Sequence, residues 1–155
     1  MKLVLKIGVS LMLLFLVFSM VYRVTLMGNP FAIQNKTSAF LKAVQVKQYE
    51  EAAQLFGSTA DKKTLAQGLL KLHEEGFRLL SYDKVNADYD DDSFSTGHAE
   101  LTFEVDGNPM KVRAILTFSP EAKPKQVCPI SPSEIKRGSI PQLEAWNQLF
   151  CGGSF

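Results

Sequence analysis

Ile7 to Tyr22 form an unbroken run of apolar and small side chains, with Lys2 and Lys6 before it and Arg23 after it. None of these residues is charged, and most are Leu, Ile, Val, Met or Phe. Such a segment fits a bilayer, a signal sequence or the centre of a large core, and little else. As a helix rising about 1.5 Å per residue, Ile7–Tyr22 covers about 24 Å, and extension to Met27 gives roughly 31 Å. A bilayer core is about 30 Å thick. Arg23 then stands near one face, where a long side chain carries its charge to the headgroups. Tyr22 suits the same interface.

A cleaved signal peptide is the competing reading, with Lys2 and Lys6 as its charged leader. Cleavage needs small residues just beyond the apolar stretch. Met20-Val21-Tyr22-Arg23-Val24-Thr25-Leu26-Met27 offers no A-x-A pattern, and no cysteine follows for lipoprotein processing. The expectation is a cytoplasmic stub over residues 1–6 and an uncleaved transmembrane signal anchor over 7–27. The basic stub places the remainder outside the membrane. Secretion after cleavage is the alternative.

Past the anchor, a linker over residues 28–36 leads to one domain over 37–155, long enough to bury a real core. Without Lys2, Lys6 and Arg23, fourteen basic residues face sixteen acidic ones. That balance argues against nucleic acid as a partner. Both cysteines, Cys128 and Cys151, fall in the exported part, where an even count predicts one disulfide.

The spacing of Phe40, Leu41, Val44, Ala52, Leu55 and Phe56 predicts a helix opened near Asn35 or Thr37. Lys47-Gln48 interrupts its stripe, as a kink or a break into two helices. Ser58 and Asp61 offer a capping box for a second helix burying Leu65, Leu69 and Leu72. Gly76 stops it, and Phe77 folds back on Leu72. The period then changes to two. A strand runs from about Leu79 to Tyr89, and the segment from Asp88 to Ser93 turns into a hairpin.

In that hairpin Ala99, Leu101, Phe103 and Val105 alternate with polar residues, as do Met110, Val112, Ala114, Leu116 and Phe118 with Lys111, Arg113, Ile115 and Thr117. Asp106-Gly107 between them signals a type I′ turn. A two-residue turn pairs Val105 with Asn108, Phe103 with Met110, Leu101 with Val112 and Glu100 with Arg113. A turn two residues longer keeps the same faces. A last strand is expected near Lys125–Pro129. Ser139 or Gln142 opens a final helix that runs through Gln148 and ends at Gly152-Gly153.

Chemistry-bearing patterns are sparse. His73-Glu74-Glu75 departs from the zinc pattern H-E-x-x-H, because Phe77 occupies the second histidine position. Asp88, Asp90 and Asp92 have the spacing of a calcium loop, but Ser93 replaces its glycine and Ala99 its bidentate glutamate. His98, Glu100, Lys111 and Arg113 share one face of the hairpin, opposite the apolar one. They read as a solvent-facing charge ladder and a candidate interaction surface. No catalytic, metal or cofactor residue is expected.

Phe40-Leu41-Lys42-Ala43, then Gln48-Tyr49-Glu50-Glu51-Ala52, then Leu55-Phe56, resemble the opening of small exported members of the nuclear transport factor 2-like superfamily. There an F-L-x-A stretch precedes a D-Y-x-x-A stretch; Gln48 stands where Asp is usual. The resemblance covers roughly Thr37 to Phe118. Its members often close with a Gly-x-Trp strand, where this chain has Gln126-Val127-Cys128 and keeps Trp146 further on. The resemblance implies an α+β cone, two or three helices packed on a curved antiparallel sheet, with Tyr49, Tyr82 and Asp83 as candidates for its cavity. Fold alone does not choose a function. The leading expectation is a non-enzymatic, single-pass membrane protein. Its exported domain binds another protein, in an envelope or secretion assembly, or pairs with itself. The alternative is a small-molecule binder, lyase or isomerase using the cone interior.

Overall fold

The computed structural model describes residues 10–19, 29–90, 93–130 and 140–152. A first helix, α1, covers residues 10–19. It is followed by α2 (Pro30–Gln45), α3 (Tyr49–Leu55), α4 (Lys62–Glu74), β1 (Arg78–Asp90), β2 (Ser93–Val105), β3 (Asn108–Phe118), β4 (Pro124–Ile130) and α5 (Pro141–Cys151). The chain is α+β, and the strands form one antiparallel meander in the order β1-β2-β3-β4.

The ten described residues of α1 span about 15 Å. Among the described residues no helix is long and apolar enough to cross a membrane. The expected span over residues 7–27 includes residues 7–9 and 20–27, which lie outside the described residues. Leu11 to Phe18 are each more than half exposed.

The helix expected to open near Asn35 or Thr37 begins earlier, at Pro30. Asn29 is its N-cap, and its side chain accepts from the backbone N–H groups of Phe31 and Ala32. Pro30 sits in the first turn, where its missing N–H has no partner to lose. Residues 30–36, expected as linker, are therefore helical, and Ile33 is buried. At Lys47-Gln48 the chain breaks into two helices. Lys47 N–H donates to the Val44 carbonyl and Gln48 N–H to that of Ala43. This is a Schellman stop, with Lys47 held at a φ of 66°. The stop of α4 is built the same way. Gly76 N–H reaches the His73 carbonyl and Phe77 N–H that of Leu72, with Gly76 at a φ of 81°. Asp61, rather than Ser58, caps α4, accepting from Thr64 N–H at 2.8 Å.

The β2–β3 register is the one expected: Val105 opposite Asn108, Phe103 opposite Met110, Leu101 opposite Val112, Glu100 opposite Arg113. Asp106 and Gly107 both have positive φ, 50° and 82°, as a type I′ turn requires. The β1–β2 pairing is less regular. One extra residue enters β1 between Leu79 and Ser81, and another between Asp83 and Asn86. Such bulges bend and twist a strand.

The inner sheet face meets α2 to α5. Ala99, Leu101, Phe103, Ala114, Leu116 and Val127 are fully buried beneath Phe40, Leu41, Leu65, Leu143 and Trp146. A run of aromatic contacts crosses the core. Phe40 lies 5.3 Å from Phe56, Phe56 5.0 Å from Phe150 and Phe150 4.6 Å from Trp146. Trp146 lies 5.1 Å from Phe103, and Phe103 4.5 Å from Phe77. Each such pair contributes about 0.5–1.5 kcal/mol beyond burial.

Helix α5 also covers the open side of β4. Trp146 Nε1–H donates to the Val127 carbonyl at 2.9 Å, and Asn147 to that of Pro129 at 3.2 Å. Alternate carbonyls that an edge strand leaves bare are thereby satisfied by side chains. Cys128 and Cys151 form the expected disulfide, with Cα atoms 5.7 Å apart, and fasten the end of α5 to the same strand. Pro141 opens the helix after Ile140 with no side-chain cap. Gln142 therefore lies within the first turn, and Ser139 lies outside the described residues.

Candidate functional site

Two surfaces bring polar side chains together. The first is the outer face of the sheet. Period-two alternation puts His98 and Glu100 of β2 on the same side as Lys111 and Arg113 of β3. Glu100 faces Arg113 in register, yet its carboxylate is taken by two lysines. Lys84 Nζ reaches one oxygen at 2.7 Å and Lys111 Nζ the other at 2.5 Å. Hydrogen bonds from Lys111 and Lys84 hold the Glu100 carboxyl down at about 2. His98 Nδ1 lies 3.3 Å from an Asp88 oxygen, and Arg78 pairs with Glu104.

Arg113 makes no ion pair among the described residues and is exposed. It adjoins two exposed aliphatic side chains on this face. Ile115, two residues along β3, is 47% exposed, and Ile130, the β4 residue opposite Arg113, is 49% exposed. The expected ladder is thus a ladder of Lys84, Glu100 and Lys111, with Arg113 left over. Lys84 was not foreseen. It lies in the bulged part of β1 with a φ of 51°, where strict alternation no longer assigns a face.

The second surface is the mouth of the core, where the α2–α3 break, the end of α4 and the start of β1 meet. A cavity of about 310 Å³ opens there, walled by Val44, Leu69, Leu72, Phe77, Leu79 and Trp146. Lys47, Tyr49, His73 and Arg78 line it as well. Lys47, Tyr49 and His73 also line a groove of about 600 Å³ between α3 and α4, with Glu50, Lys62 and Lys63. The Tyr49 and His73 rings lie 6.1 Å apart. His73 Nδ1 is buried without a hydrogen-bond partner among the described residues. Burial holds the His73 imidazole below its usual pKa, Lys47 and Arg78 add to this, and Glu74 opposes it. Burial also raises the Tyr49 phenol, against the pull of Arg78.

Of the three residues expected in a cavity, Tyr49 lines this one. Tyr82 is half-buried against the core and does not line it. Asp83 is exposed on β1, its carboxylate accepting from Lys84 N–H at 2.7 Å. It falls outside the cavity because it pairs opposite Glu100, on the outer side. Sequence reasoning missed Lys47, His73 and Arg78 as cavity residues. Lys47 carried a signal as the interruption of the helical stripe, and His73 was weighed only against a zinc pattern. Among the described residues no cluster of His, Cys, Asp and Glu is arranged to hold a metal ion.

No known protein-family model matches the chain, and no curated protein matches it.

Proposed function

We propose that the protein is a non-enzymatic, membrane-anchored binding module resembling the nuclear transport factor 2-like superfamily. In this reading the domain lies outside the membrane and docks another protein, or a second copy of itself, on the outer face of its sheet. One observation carries the proposal: Arg113 is exposed and has no ion pair among the described residues, and it adjoins the exposed Ile115 and Ile130. Arginine is enriched in the buried centres of interfaces, where it combines a fixed fork of donors with an apolar stem. The matching surface on the partner is a carboxylate ringed by apolar side chains. Paired neighbours such as Glu100 with Lys84 and Lys111 supply a polar rim.

Anchoring is supported by the exposed apolar side chains of α1, which a bilayer would cover. Capture of a partner from intact cells tests the docking face. Arg113→Glu is expected to abolish capture while the fold persists, and unchanged capture would sink the assignment. Export is tested with a membrane-impermeant thiol reagent, which is expected to label Cys128 and Cys151 on intact cells only after reduction.

A second reading, small-molecule binding inside the domain, is favoured by the cavity beneath Lys47. At about 310 Å³ it stands at the lower end of the range of ligand pockets.

A further inference from the structure

We infer that the cavity between α2, α4 and β1 binds a small carboxylate with a short apolar body, its head at Lys47, Tyr49 and His73. This inference rests on the second reading above and names its ligand class. Apolar side chains such as Leu69, Leu72, Phe77 and Trp146 line the cavity beside its polar groups. Its volume holds one short chain or one ring, and is too small for the paired chains of a phospholipid. The groups at its mouth are rich in donors. The Lys47 ammonium has no carboxylate partner among the described residues, and no hydrogen bond to the Tyr49 hydroxyl is seen there. The His73 ring lines the mouth, and its Nδ1, buried from solvent, has no hydrogen-bond partner among the described residues. Arg78 adds positive potential, although its guanidinium is engaged with Glu104. The nearby acids, Glu50 on the groove side and Glu74 on α4, are exposed.

The backbone at Lys47 points the same way. A left-handed φ is disfavoured for a side-chain-bearing residue, and the matching stop of α4 uses glycine. A cation is favourable beside the carbonyl end of a helix. That accounts for the charge, but not for a strained residue where glycine fits freely. Strain retained at a cavity mouth is the pattern of a functional position.

The chain has two histidines, which makes the test direct. Isotope-labelled histidine side chains of the full-length protein in lipid nanodiscs are followed by NMR during titration with octanoate, and with octanamide as its neutral isostere. His73 is expected to shift with octanoate while His98, on the other sheet face, stays still. Octanamide is expected to bind about tenfold more weakly, the value of a charge-assisted contact. Lys47→Gly is expected to raise the melting temperature and to lower octanoate affinity to that of octanamide. Equal binding of both compounds would overturn the carboxylate assignment and leave the cavity reading standing. An unmoved His73 with either compound would overturn both. Undiminished octanoate binding in Lys47→Gly would remove Lys47 from the site.

Discussion

The two faces of the central sheet are made from the same strands, residue by residue, and differ in almost every physical respect. Inner residues such as Leu101, Phe103 and Leu116 are fully buried, and aromatic rings from α2, α5 and Phe77, just before β1, pack in the same core. Outer residues such as Glu100, Lys111 and Arg113 keep contact with solvent, the first two in an ion pair and Arg113 with none among the described residues. Apolar burial is worth about 25 cal/mol per Å², whereas exposed ion pairs contribute between nothing and about 1 kcal/mol. The inner face therefore carries stability. The outer face is free to vary, and a charge there can be changed without loss of the fold. That separation makes the outer face a usable docking surface and makes mutations on it interpretable.

The largest expected effect lies inside. Phe103→Ala removes a ring stacked on Phe77 and set edge-on to Trp146. Denaturant unfolding is expected to show a loss of roughly 3–5 kcal/mol. A loss under 1 kcal/mol would mean that the inner face does not carry the fold. Next comes the joint between sheet and α5. Replacing both Cys128 and Cys151 with Ser is expected to cost about 3 kcal/mol through the freed unfolded chain. Melting of the reduced wild type against the double variant checks this, since the two should coincide.

The outer face predicts smaller changes with a pH signature. The Glu100 carboxyl is held well below its ordinary value of 4.5, so the folded state binds its proton less readily than the unfolded state. Its contribution is complete above about pH 4.5 and is lost as pH falls toward about 2. Glu100→Gln should therefore melt slightly below wild type at neutral pH, and the gap should close across that window. A gap that persists at pH 2 would place the effect elsewhere. The smallest stability change is expected at Arg113. Arg113→Glu should stay within about 0.5 kcal/mol of wild type. A large loss would show that the residue is structural and would blur the contrast between the faces.

Much of this architecture was legible in the chain. Alternation assigns the inner and outer faces of β2 and β3, because a one-residue slip would expose Leu101 and Phe103 and bury Glu100, and of the two turn lengths that keep those faces the structure has the two-residue turn at Asp106-Gly107. The disulfide was legible from the cysteine count. Less legible was the start of α2. Gly28-Asn29-Pro30 reads as a breaker that starts the linker, whereas the structure uses Asn29 as a cap and Pro30 as a first-turn proline. The cavity was mostly illegible. Lys47 is far in sequence from His73 and Arg78, and the three belong to a turn, a helix end and a strand start, so no single helical or strand period joins them. The role of Lys84 was hidden for another reason: bulges in β1 cancel the alternation by which a face is read.

The most direct test of the docking claim is crosslinking on intact cells with the full-length tagged protein, comparing wild type, Arg113→Glu and a control reversal at exposed Glu51 of α3. The account predicts one dominant adduct in wild type and the Glu51 variant, absent from Arg113→Glu although its melting temperature is unchanged. The same adduct in all three proteins would contradict it.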